Sequence, residues 1–182
     1  MSMPIRIIVT MISTVIRKIR QYYTFTKPGI SRAQVLTVSI GYFLAKQVVD
    51  FKSPYFSLII GTYFFSAGAC ALNNIIESEY DSAMVRTKGR AMPSGKIKKI
   101  EGGIIVFICM CLGIFFIWNV NMATLTVAII TVTTYCFIYT PLKRISWLNT
   151  LVGAVPGALP IIGGWVATNT PIHIAGIALF FT

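Results

Sequence analysis

Asn73, Glu77 and Asp81 stand four residues apart in the stretch NNIIESEYD, and RTKGR, with Arg86, Lys88 and Arg90, follows shortly after. On a helix, spacings of i, i+4 and i+8 put the first three on one stripe, with roughly 6 Å between successive members. An amide oxygen and two carboxylates so placed suit Mg²⁺ or Mn²⁺. Mg²⁺ binds through one or two carboxylates and takes its remaining ligands from water and substrate phosphates. Arg86, Lys88 and Arg90 offer charge-assisted bonds to phosphate oxygens. Carboxylates for a metal beside cations for phosphate is what departure of a diphosphate requires, with the metal acting as a Lewis acid. A span ending at 76 and followed by a solvated, mixed-charge loop would carry the same residues. Asn73 weighs against it, because it sits a turn inside the hydrocarbon boundary, where polar groups are costly.

Such a stripe needs a helix to hold it, and the composition supplies membrane helices. Of the 182 residues, 55% are hydrophobic and 12% charged, whereas a soluble domain is nearer about 45–50% and about 25%. The apolar residues fall in blocks of about 20, long enough to cross roughly 30 Å of hydrocarbon. A soluble enzyme is excluded. A disulfide-stapled domain is excluded too, because Cys70, Cys109, Cys111 and Cys136 all lie within apolar runs. Full spans are expected near 30–49, 55–76, 103–120, 122–141 and 148–168. The last run, from Pro171 to Thr182, is too short to cross. The expected fold is an all-α, polytopic transmembrane bundle of five full spans and one truncated span. It forms a single domain over 1–182, incomplete at its C-terminus.

The basic residues assign the orientation. Of the 16 Lys and Arg residues, 14 lie in three segments on one side. Arg6, Arg17, Lys18, Arg20, Lys27 and Arg32 come first; Arg86, Lys88, Arg90, Lys96, Lys98 and Lys99 follow; Lys143 and Arg144 are the last. Only Lys46 and Lys52 remain opposite. The N-terminal segment 1–28 and the loop 77–102 are therefore expected in the cytoplasm. The membrane is expected to be the bacterial inner (plasma) membrane, with the mitochondrial inner membrane as the alternative. The net charge of +11 is thus mainly a topology signal, and no nucleic-acid partner is expected. Trp118, Trp147 and Trp165 fall at span ends, as interfacial aromatics do. Residues 4–20 mix apolar and basic side chains with no acid. They read as a basic amphipathic helix on the membrane face, in preference to a signal peptide or presequence.

The pattern N-x-x-x-E-x-x-x-D followed by M-x-R-T-x-x-R resembles the first acidic motif of the UbiA superfamily of intramembrane prenyltransferases, usually N-x-x-x-D-x-x-x-D. Three further blocks are similar to its protoheme IX farnesyltransferase branch: TKPGI at 26–30, RTKGRAMPSGKI at 86–97 and YTPLKRISWLNTLVGAVPGALPIIGGW at 139–165. The resemblance runs from about residue 22 to the end. It implies transfer of a farnesyl group from farnesyl diphosphate to a vinyl group of haem b, giving haem O, with haem b as substrate and not cofactor. The lipid bilayer is the implied solvent, and haem A synthase or terminal oxidase assembly the implied protein partner. Asn73, Glu77 and Asp81 become metal-holding, catalytic residues, and Lys143 and Arg144 join Arg86, Lys88 and Arg90 on the diphosphate. Glu77 stands where the family usually has Asp, and Ala91 where proline is common. The family's second acidic motif and later helices do not occur in the 182 residues, so this chain by itself is expected to be inactive.

Several residues keep two readings. Lys27 either faces the site or snorkels toward lipid phosphates, and Tyr139 is a weaker candidate one turn before Lys143. Gly153 and Gly157 form a G-x-x-x-G pair for close helix approach, while Pro156 and Pro160 bend the same span. His173, the single histidine, is expected to be no haem ligand. Cys109 and Cys111 project to different faces of a helix and cannot chelate one metal. Asn119 and Asn121 mark a short turn. Prenylation of an aromatic quinone precursor, a non-catalytic membrane fragment and, more weakly, a transporter remain as alternatives.

Overall fold

The computed structural model describes residues 3–47 and 54–171, and among them all regular structure is helical. Helix α1 spans Met3–Phe25, α2 Pro28–Lys46, α3 Tyr55–Ala83, α4 Lys99–Trp118, α5 Met122–Leu142 and α6 Asn149–Val166. Helices α3 to α6 are long and apolar enough to cross a membrane. Helix α2 has 19 residues but includes Arg32 and Lys46, and it falls short of the same apolarity. The first of the five expected spans is therefore a helix of the right length without the hydropathy of the others. The sixth run beyond Pro171, with His173, lies outside the described residues.

Helix ends follow from local chemistry. Pro28 opens α2, where a missing N–H costs nothing, and Lys27 before it turns left-handed at φ 50° to make the corner from α1. The Glu101 carboxylate accepts the Lys98 backbone N–H at 3.0 Å and closes the first turn of α4. Asn121 caps α5 by accepting from the Thr124 N–H at 2.8 Å. Its amide also donates to the Val166 carbonyl at 2.9 Å and to Asn169 Oδ1 at 3.0 Å. Asn121 thus joins the start of α5 to the end of α6, which is more than marking a turn.

Helix α3 packs on α4, α2 against α3 and α6, and α5 on α6. The close approach of α2 and α6 is made by Gly41 and Gly164. A Cβ on Gly164 would strike the Val38 carbonyl, and one on Gly41 the Ile161 carbonyl. The G-x-x-x-G expectation is corrected here. Gly153 meets the Tyr139 ring and Gly157 has open space beside it, so that pair makes room and does not bring two backbones together. Apolar side chains of α4, such as Phe107, Phe115 and Trp118, stay exposed on the outer surface, where only lipid matches them. Trp147 is exposed as expected, but Trp165 is buried and its indole donates to the Pro171 carbonyl at 3.1 Å. Cys109 is buried and Cys111 exposed, as two faces of one helix require.

Two details position the site. Residues 77–102 are not all loop: α3 continues to Ala83 and α4 starts at Lys99, so the acidic motif sits on a helix. Helix α5 widens to a π-helix over Thr134–Tyr139 before resuming at Thr140–Leu142. Nothing in the hydropathy pattern foretells that widening.

Candidate functional site

The last turns of α3 bury Asn73, Asn74, Glu77, Ser78 and Asp81, while Glu79 and Tyr80 stay exposed. The stripe read from the spacing is therefore a buried polar face. Burying it demands partners, and each arrives from a different part of the chain. Lys27 Nζ, from the α1–α2 corner, donates to Asn73 Oδ1 at 2.9 Å. Lys143 Nζ, just past α5, lies 3.1 Å from Glu77 Oε1. Arg90, from the 84–98 loop, lies 2.6 Å from Asp81 Oδ2. The three oxygen-bearing residues thus face three cations in a row. Burial pushes the Lys27 ammonium below the usual lysine range, because the charged form loses its water.

Further residues, not singled out by the sequence, complete the arrangement. Asn73 Nδ2 donates to Thr140 Oγ1 at 2.8 Å, and that hydroxyl donates to the Tyr135 carbonyl at 2.8 Å. The bond from Thr140 reaches five residues back, so it ties the π-helical turn to the stripe. Asn74 Nδ2 donates to the Phe25 carbonyl at 2.7 Å. Buried Thr87 donates to the Asp81 carbonyl at 3.0 Å and holds the loop that carries Arg90. That loop is seated by Met92 and Ile97, which pack with Phe25 and Ala71. A short polar side chain beside a motif is too common to flag these positions; what selects them is which carbonyl or amide stands opposite.

Not every expected residue converges. Arg86 and Lys88 are exposed and form no ion pair with the stripe among the described residues. Arg144 lies flat on the Tyr80 ring, 3.4 Å from its centroid, and bonds neither acid. Glu79 pairs with Lys99 at 2.9 Å and Glu101 with Lys18 at 3.1 Å. Lys27, left undecided by the sequence, faces the site.

Two cavities border helix α3. One, of about 410 Å³, is walled by apolar side chains of α2, α3, α5 and α6. Tyr135 and Tyr139 line it, with their rings stacked 5.8 Å apart and 15° from parallel. The other, of about 480 Å³, opens beside Lys27, Asn74, Asp81, Arg90 and Lys96. An apolar chamber and a charged one thus lie at successive stretches of α3, the first lined as far as Cys70 and the second by Asn74 and Asp81, an arrangement that fits a molecule with a lipid-like body and an anionic head.

A divalent ion at this face would draw on carboxylate and amide oxygens. Among the described residues no three His, Cys, Asp or Glu side chains cluster as a metal site. Two carboxylates and amide oxygens do share the α3 face, and that is the sparse protein contribution Mg²⁺ accepts when phosphates and water complete its shell. Asn74 Oδ1 is buried with no hydrogen-bond partner, a costly state that a cation or a donor relieves. The residues fit the ion.

Residues 35–182 match the model of the UbiA prenyltransferase family. The chain belongs to the UbiA prenyltransferase family. Among its relatives, a protoheme IX farnesyltransferase of Flavobacterium johnsoniae is 34% identical over 160 residues, covering 85% of this chain and 52% of that protein. One from Solibacter usitatus is 36% identical over 161 residues, covering 81% of this chain and 54% of that protein. One from Francisella tularensis subsp. novicida is 31% identical over 167 residues, covering 88% and 58%. The chain therefore spans about half the length of the curated relatives it matches. A solved structure from work on digeranylgeranylglyceryl phosphate synthase in membranes superposes with a TM-score of 0.79 at 20% identity, covering 90% of this chain and 57% of that one. That likeness shows a shared fold.

Proposed function

We propose that this UbiA-family chain carries the diphosphate-ionising half of a prenyl-transfer site, with farnesyl diphosphate as donor, a vinyl group of haem b as acceptor and water supplying the hydroxyl, giving haem O, diphosphate and a proton. One observation carries the proposal: Asn73, Glu77 and Asp81 form a buried row on α3, each facing a cation, with Asp81 lining the charged cavity and Cys70, one turn before the row, lining the apolar one. The farnesyl choice and the haem acceptor rest on the relatives' names. The proposed location is an inner membrane with α1 and the 84–98 loop on the cytoplasmic side, from the placement of basic residues.

In this proposal Asn73, Glu77 and Asp81 hold Mg²⁺, and Mn²⁺ is an acceptable substitute. The ion supplies Lewis acidity toward the diphosphate. Lys143 and Arg90 then have two partners to serve, the carboxylates and the phosphate oxygens, and Lys27 adds a third donor. Together they offset the negative charge that grows on the leaving group as the C–O bond breaks, and preorganised charge of this kind is usually the largest catalytic term. Arg86, Lys88 and Arg144, on the exposed side, raise the local concentration of the anionic head. The apolar cavity shelters the allylic cation from water, and the Tyr135–Tyr139 faces stabilise it by their ring quadrupoles.

The test is binding of a non-hydrolysable farnesyl diphosphate analogue to the chain in lipid nanodiscs, with Mg²⁺ or with chelator. Binding is expected with Mg²⁺ and should collapse with chelator, and also in Glu77→Gln or Asp81→Asn. Wild-type affinity in both variants would refute the assigned roles. For the acceptor, membranes from cells expressing the full reading frame should convert haem b to haem O. Product from an aromatic acid in place of haem would favour the quinone-precursor alternative.

A further inference from the structure

Helix α1 has no use in the proposed chemistry, yet its surface is strongly sorted. Ile12, Val15, Ile16, Ile19 and Tyr23 lie along one face and are each 50–61% exposed. Ser13, Arg17, Arg20 and Thr24 form a polar flank about 80–140° round the helix from the centre of that stripe, as the 100° advance per residue dictates. From residue 9 to residue 17 every side chain is exposed, and Lys18 is the first to be partly covered. The apolar stripe is thus bare of protein. It does not cross a membrane either. The uncharged run Ile7–Ile16, between Arg6 and Arg17, reaches roughly 15 Å, half a hydrocarbon core.

Charge and attachment identify what covers it. Residues 1–32 hold six cations and no acid. Lys18 bonds the Lys96 carbonyl at 3.0 Å and Glu101 at 3.1 Å, which joins α1 to the loop of Arg86, Lys88, Arg90, Lys96, Lys98 and Lys99. The result is one basic band at the end of the bundle where the membrane helices emerge. At its other end α1 is fastened to the motif, because the Phe25 carbonyl accepts from Asn74 and Lys27 donates to Asn73. We infer that α1 is an interfacial anchor, lying in the plane of an anionic bilayer surface with the Ile12–Ile16–Ile19–Tyr23 face in the acyl boundary and Arg17 and Arg20 among acidic headgroups. The inference is independent of the substrate assigned to the site.

Single cysteines at Ile12, Ile16 and Ile19, and on the polar flank at Ser13 and Thr24, would carry a polarity-sensitive nitroxide or fluorophore. The chain would be reconstituted into phosphatidylcholine vesicles with or without phosphatidylglycerol. The unsubstituted chain, labelled in parallel, removes the signal of exposed Cys111. Labels at 12, 16 and 19 should be quenched by lipid-borne quenchers and protected from aqueous ones, with 13 and 24 the reverse. The contrast should be greater with phosphatidylglycerol. Arg17→Gln with Arg20→Gln should lower the seated fraction's ratio by roughly tenfold or more, since each cation near an anionic surface contributes about 1 kcal/mol. Equal aqueous access on both faces would overturn the inference. So would protection of the stripe from both kinds of quencher, which would put a protein surface there. Seating indifferent to phosphatidylglycerol and to both arginines would overturn the headgroup assignment.

Discussion

Lys27 Nζ donates to Asn73 Oδ1 at 2.9 Å, and so a residue from the corner before α2 reaches the first member of a stripe on α3. The lysine holds a left-handed backbone at φ 50° to do so, a conformation that costs an L-residue of order 1–3 kcal/mol and persists where the surroundings over-determine it. The Pro28 ring on one side and the Asn74–Phe25 bond on the other supply that constraint.

The pH dependence of anion binding follows from this lysine. Below its lowered pKa the folded site bears a half-buried ammonium at its full desolvation cost. As pH rises from there toward 10.5, the folded chain gives up the proton before the unfolded chain does, so stability increases. A bound anion favours the ammonium, so affinity for the diphosphate analogue should fall across the same window. Lys27→Met should erase that alkaline loss and weaken binding by about 1.5–3 kcal/mol, the range for a charged hydrogen bond. Titration calorimetry over pH measures both.

Thr140 is buried and connects Asn73 to the π-helical turn. Thr140→Val should strand the Asn73 amide and cost about 1–3 kcal/mol. Thr140→Ser keeps the hydroxyl and should recover most of it. Unfolding in mixed micelles reads the stability, and analogue binding reads whether Asn73 has moved.

The glycines of α6 should separate cleanly. Gly164→Ala forces a Cβ into the Val38 carbonyl and should destabilise by about 1–3 kcal/mol, the range for overpacking. Gly157→Ala meets nothing within 4 Å, and should leave the melting temperature near wild type. Thermal scans of the two variants decide this.

Asn121→Ala removes a helix cap and two bonds to the end of α6. Loss of the cap alone costs about 0.5–2 kcal/mol. Hydrogen exchange should rise at both the start of α5 and the end of α6, and a rise confined to α5 would contradict the bridging role.

The sequence by itself determined the membrane class, the helix register of Asn73, Glu77 and Asp81, and the family, because hydropathy blocks and i+4 spacing are local properties of a chain. It also placed Cys109 and Cys111 on different faces and α1 as an amphipathic helix. It did not reveal which cation meets which acid. Lys143 and Arg90 were legible as basic, but so were Arg86 and Lys88, and only packing brought the first two against Glu77 and Asp81. Thr140, Asn74 and Thr87 act through bonds spanning 67, 49 and 6 residues, the first two set by where α5 and the α1–α2 corner come to rest. Gly153 and Gly157 carried the familiar spacing for helix contact, yet the contact is made by Gly164 with α2. Spacing tells which residues share a face, and only the neighbouring helix determines what that face touches.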